Sequence, residues 1–153
     1  MEEGQGAYLS LLLRLAETVT KDRLASRPLE LYGAIVNERF SDVAFIEPRD
    51  DASETGAALF SLSIPAISKL SLSLALAEHP LHIENGFEAR IVGLVSSPDR
   101  GGGRGEALLR ETVALFSPED ARQEILSCSR PDQAWSVLRS LAARSAHGVR
   151  STE

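Results

Sequence analysis

Leucines at positions 70, 72, 74 and 76 alternate with Ser71, Ser73, Ala75 and Ala77. Successive side chains of an extended strand point to opposite faces, so this period of two predicts a strand despite leucine's preference for helix. The leucine side needs a hydrophobic partner; the serine and alanine side is either covered by a helix or left wet. A chain carrying this run must build a sheet and supply layers to cover it.

Other strand patterns surround it. Phe60, Leu62 and Ile64 alternate with Ser61 and Ser63. Residues 43–46, Val-Ala-Phe-Ile, are a short apolar run bounded by Asp42 and Pro48. Residues 89–95 read as a buried strand following the turn signal Asn85-Gly86.

Helical spacing brackets these strands on both sides. Tyr8, Leu11, Leu12, Leu15, Ala16 and Val19 recur at steps of three and four, predicting a helix over 7–19 with one buried face. Ser26-Arg27-Pro28 suits a second helix start, with Leu29, Tyr32, Val36 and Phe40 on its inner side. Beyond residue 98 a glycine-rich loop, 99–105, precedes a helix over 106–116 with Leu108, Leu109, Thr112, Val113 and Phe116 inward. Ser117-Pro118-Glu119-Asp120 and Ser129-Arg130-Pro131-Asp132 open two more, the first with Ser117 as its cap. The fold expected is α/β: a three-layer sandwich with a central mixed sheet of about four to five strands flanked by helices. Residues 1–145 form its single domain, and 146–153 are a flexible tail.

Charge narrows the partners. The net charge is −6, and residues 1–98 carry all of it, with 8 basic and 14 acidic side chains against 8 and 8 in the remainder. A phosphate-backbone binder needs a basic stripe, which is absent, so nucleic acid is not a predicted partner. The apolar region 59–77 is interrupted by serines and Lys69, which argues against membrane insertion. The start Met-Glu-Glu does not read as a secretory signal, and the single Cys128 forms no internal disulfide and no zinc motif. These features point to the cytoplasm.

Several groups invite a chemical role. His79 and His82, with Glu78 and Glu84, could form a metal shell only if a turn gathered them; polar residues beside a loop are the ordinary reading. Glu47, Asp50, Asp51 and Glu54 form an acidic loop with no calcium spacing and with Arg49 among them, which suits a solvated surface. Residues 99–105, Asp-Arg-Gly-Gly-Gly-Arg-Gly, could cradle an anion with Arg100 and Arg104 at a helix start. They match neither a P-loop nor a dinucleotide fingerprint, and a flexible connection is the competing reading. No serine-hydrolase elbow is present. Cys128 and Trp135 read as packing residues.

Two stretches carry a family resemblance. Arg49-Asp50 is followed by Glu54-Thr55-Gly56, and then by Ser63-Ile64-Pro65-Ala66. This order resembles the enzyme IIA domains of the mannitol/fructose class of the bacterial sugar phosphotransferase system, including their nitrogen-regulatory relatives. The likeness covers about residues 50–141, since residues 92–99 match an apolar strand closing in a Pro-Asp loop and the following helices fit the family's plan. In that family a strand ends in Ala-Ile-Pro-His, and the His accepts a phosphoryl group. The resemblance places Ala66 at that position. A second, supporting histidine of many members falls within Arg104-Gly105-Glu106, again without a histidine.

Alanine offers no nucleophilic nitrogen, so the resemblance implies a phosphotransfer-dead pseudoenzyme rather than an enzyme. It further implies a regulatory domain with no cofactor or metal that docks a protein partner (a transporter, kinase or regulator). The face concerned would hold Arg49, Thr55, Gly56, Ala66, Arg100 and Arg104. The competing function is a small α/β ligand-binding protein or enzyme that holds a phosphorylated compound in the 99–105 loop. Oligomerisation through the leucine-rich strand is a third possibility, and the sequence does not specify the oligomeric state.

Overall fold

A computed structural model describes residues 2–21, 27–47, 56–84, 87–98 and 103–151. Its sheet has four strands in the order β1-β2-β4-β3: β1 (Asp42–Ile46), β2 (Ala57–Ser63), β3 (Ser71–Glu84) and β4 (Phe87–Ser97). The β1–β2 and β3–β4 pairs are antiparallel, whereas β2 and β4 run parallel. The sheet is therefore mixed, as expected.

Two helices, α1 (Glu2–Lys21) and α2 (Pro28–Val36), cover one face of the sheet. Leu12, Leu15 and Ala16 of α1 and Leu31, Ala34 and Ile35 of α2 bury themselves there against Ala58, Phe60, Leu62, Val92 and Leu94. The other face is covered by α3 (Arg104–Phe116), α4 (Glu119–Leu126) and α5 (Pro131–Ser151). Leu109, Phe116, Ile125 and Leu138 pack on Ala57, Leu59, Ile91 and Val95. Both faces of β2 and β4 are thus dry, which explains why neither strand needs a polar side.

The leucine alternation resolves as its period requires. Leu72, Leu74 and Leu76 pack toward the α3–α5 layer, and Ser73 is buried on the opposite side, where α1 crosses β3. The strand runs on past residue 77 through Pro80 to Glu84. Its register slips between Leu76 and Leu81, so the irregular stretch that reads as a strand end interrupts one longer strand.

Two other expectations are corrected. The expected inner side of α2 holds only in part: Tyr32, and Phe40 beyond the helix end, pack half-buried on the core, but Leu29 is 85% exposed and Val36 58%, and Leu31, Ala34 and Ile35 take the buried positions. Both stripes have helical spacing, and only packing against α1 and the sheet selects between them. Ser117 does not cap α4; its hydroxyl donates back to the Val113 carbonyl at 2.6 Å, and Pro118 occupies the cap position. Helix α5 runs from Pro131 to Ser151, with Leu138 and Leu141 buried on it.

Helix α2 ends in a Schellman turn. The Glu38 amide donates to Ile35 at 3.0 Å and the Arg39 amide to Ala34 at 2.8 Å, which places Glu38 at φ 52°. A side chain is strained in this left-handed region and glycine is not. Glu38→Gly is therefore expected to stabilise the protein by about 1 kcal/mol, read as a higher urea midpoint at unchanged slope.

Candidate functional site

The parallel pair β2 and β4 ends in a polar cluster. After Ser63 the chain turns through Ile64-Pro65-Ala66-Ile67, closed by the Ile67 amide donating to the Ile64 carbonyl at 3.2 Å. Proline at the second turn position fixes the backbone angle that the turn needs. The Ile64 amide donates to the Ser97 carbonyl at 3.2 Å, adding a last rung between the two strand ends. Ala66 is fully buried at this corner.

Side chains tie the same ends together. The Ser63 and Ser97 hydroxyls share a hydrogen bond of 2.7 Å. The first turn of α3 presses on them through Gly105, where an added Cβ would lie 2.6 Å from Ser97 Oγ. Only a residue without a side chain lets the helix approach this closely. Gly103, at φ 84°, supplies the left-handed bend that delivers the chain into α3.

The amino end of a 13-residue helix therefore sits over the carboxyl ends of two parallel strands. In open α/β sheets this is where ligands bind, and the helix end contributes partial positive charge. Arg104 is exposed on its first turn, with Glu106 two residues on. The geometry suits contact with an anionic group. The two serine hydroxyls there share one hydrogen bond, and no histidine accompanies them among the described residues.

The expected site residues divide. Ala66 and Arg104 belong to elements meeting at the strand ends. Gly56 does not: its carbonyl accepts the Arg90 amide at 3.0 Å at the start of β2, so it lies roughly 23 Å along the strand from Ser63. Arg49, Thr55 and Arg100 lie outside the described residues, as do Asp50, Asp51 and Glu54 of the acidic loop. His79 and His82 fall on β3, at the sheet edge, and no metal-binding group of three or more donors occurs among the described residues.

Two features escaped the sequence reading. One is the Ser63–Ser97 pair, whose only signal was a serine two residues before Pro65 and another immediately before Pro98. The other is the register pair Ser71 and Ser96, whose hydroxyls are buried and without hydrogen-bond partners among the described residues. Alternation alone cannot show which serines will face each other across a sheet.

No protein-family model and no curated protein matches this chain. Solved structures do. The mannitol IIA protein of Escherichia coli aligns with a TM-score of 0.62 over 86% of this chain and 88% of its own, at 12% identity. The nitrogen regulatory protein IIA-Ntr of Neisseria meningitidis aligns with a TM-score of 0.50 over 54% of this chain, at 13% identity. This chain spans 57% of the length of that second protein. The α/β architecture matches that of these IIA proteins. At such identities the likeness concerns the fold. No described helix is long and apolar enough to cross a membrane.

Proposed function

We propose that this chain is a non-catalytic regulatory or interaction domain built on the enzyme IIA fold. It docks a protein partner, in the class of a transporter, kinase or regulator, at the carboxyl ends of β2 and β4. The observation carrying this reading is Ala66. By the resemblance it stands where the family carries its phosphoryl-accepting histidine, and it is a fully buried methyl group at a tight corner. Arg104 and the start of α3 would provide polar contacts, with Arg100 as a further proposed contributor.

Incubation with the general phosphocarrier protein and labelled phosphate donor tests the reading. No stable phosphohistidine is expected on this chain. Robust labelling of His79, His82 or His147 would overturn it.

A second reading is supported by the helix geometry: the amino end of α3, bent into place by Gly103, holds a phosphorylated small molecule with Arg100 and Arg104. A phosphometabolite that raises the melting temperature of the native chain, but not of the Arg100→Ala/Arg104→Ala variant, would favour it. No response across a broad panel would remove it.

A further inference from the structure

The two edges of the sheet are built differently. Strand β1 is a five-residue edge bounded by Asp42 and Glu47, and the Asp42 carboxylate accepts the Val43 amide at 2.9 Å. A short strand, flanking acids and a side chain occupying an amide are recognised ways of blunting an edge. Strand β3 is a 14-residue edge whose segment 71–77, Ser-Leu-Ser-Leu-Ala-Leu-Ala, carries no charge at all. Alternate residues of an edge strand turn their amides and carbonyls outward, so this stretch presents a ladder ready to pair.

A mostly apolar groove runs beside that ladder. Leu74, Leu76, Ile125, Pro131, Ala134 and Trp135 line it together with Cys128, Ser129 and the cationic Arg130, around a volume of about 280 Å³. Trp135 is 43% exposed, an unusual position for the largest apolar side chain in the protein. It stands on the first turns of α5, away from the β2–β4 ends described above.

We infer that the β3 edge pairs with the β3 edge of a second copy of this chain, antiparallel about a two-fold axis near Leu74. That register sets residue 74 opposite its own copy and spans the whole uncharged segment. It keeps the two Glu78 side chains at opposite ends of the paired stretch, so self-pairing brings no acids face to face despite the net charge of −6. The same operation on β1 would bring the acids flanking each copy close together. The axis also keeps the groove-bearing faces of both copies on one side of an eight-stranded sheet. A stable dimer buries roughly 1,200–2,000 Å² in total, more than two seven-residue edges provide. The grooves, with Leu74, Leu76 and Trp135 from each copy, supply the remaining apolar surface.

Sedimentation over a concentration series should show a species of twice the 16.5 kDa protomer mass that dissociates on dilution. Trp135→Glu, a surface change, should weaken it at least tenfold while leaving the circular dichroism spectrum unchanged. Opposed residues of antiparallel strands have Cα atoms about 4.5–5.5 Å apart, within disulfide range. Leu74→Cys in a Cys128→Ser background should therefore form a covalent dimer on mild oxidation, and Leu29→Cys in the same background should not. A monomer up to millimolar concentration, or equal cross-linking of both cysteine variants, would overturn the proposal. So would a monomer whose β3 amides gain hydrogen-exchange protection only when an apolar peptide is added, which would assign the edge to a strand from a different protein.

Discussion

Replacing Arg122 with alanine is expected to lower the unfolding free energy by about 3 kcal/mol, and Arg122→Met by about 2 kcal/mol. Arg122 is 1% exposed, yet it carries the charge of a surface residue. Its Nη1 donates to the Phe116 carbonyl at 2.6 Å and the Ser117 carbonyl at 2.7 Å, and its Nη2 lies 3.7 Å from Glu119. These carbonyls belong to the end of α3, where backbone acceptors lack helical partners. The guanidinium fork thus closes one helix from within the next. Burial lowers the arginine's pKa, and the nearby Glu119 offsets part of that shift. Truncation strands two acceptors and opens a cavity, whereas methionine restores packing alone. Urea unfolding of both variants measures the difference; equal midpoints for native and alanine forms would refute the capping role.

Phe60→Ala should cost more, about 3–5 kcal/mol. Phe60 is nearly fully buried in β2, with its ring centroid 4.9 Å from Phe40 and 6.4 Å from Phe45, and Phe45 stacks on Phe87 at 4.8 Å. Four of the five phenylalanines thus join β1, β2, β4 and the segment after α2. Removing the central ring leaves a hole bordered by several elements, which cannot all move inward to fill it. A fall in melting temperature of roughly 10–15 °C is expected for a chain of this size, checked by calorimetry. A drop within 3 °C would mean that Phe40 and Phe45 collapse into the space.

Much of this architecture was legible in the sequence because it rests on local periodicity. The strand at residues 43–46, the alternation beyond Leu70, the buried run of β4 and the stripe on α3 each follow from side-chain spacing along one element. What spacing cannot supply is the choice between equivalent stripes. In α2, Leu29 and Val36 are as regular as Leu31 and Ile35, and tertiary packing decided against the first pair. The cap of α4 failed for a related reason: Ser117 can bond forward or backward, and continuity with α3 favoured the Val113 carbonyl. At the candidate site, the turn holding Ala66 was readable from its proline, whereas the approach of Gly105 to Ser97 joins residues from different elements and leaves no local trace.

The sheet can also be regarded as two hairpins, β1–β2 and β3–β4, welded along the parallel β2–β4 junction. Each hairpin is local in the chain, but the weld joins residues 57–63 to residues 91–97. Ser63 and Ser97 stand on opposite sides of that weld, so any partner gripping both holds the two halves together. Such binding would register as resistance to opening of the whole domain, besides affinity at one corner.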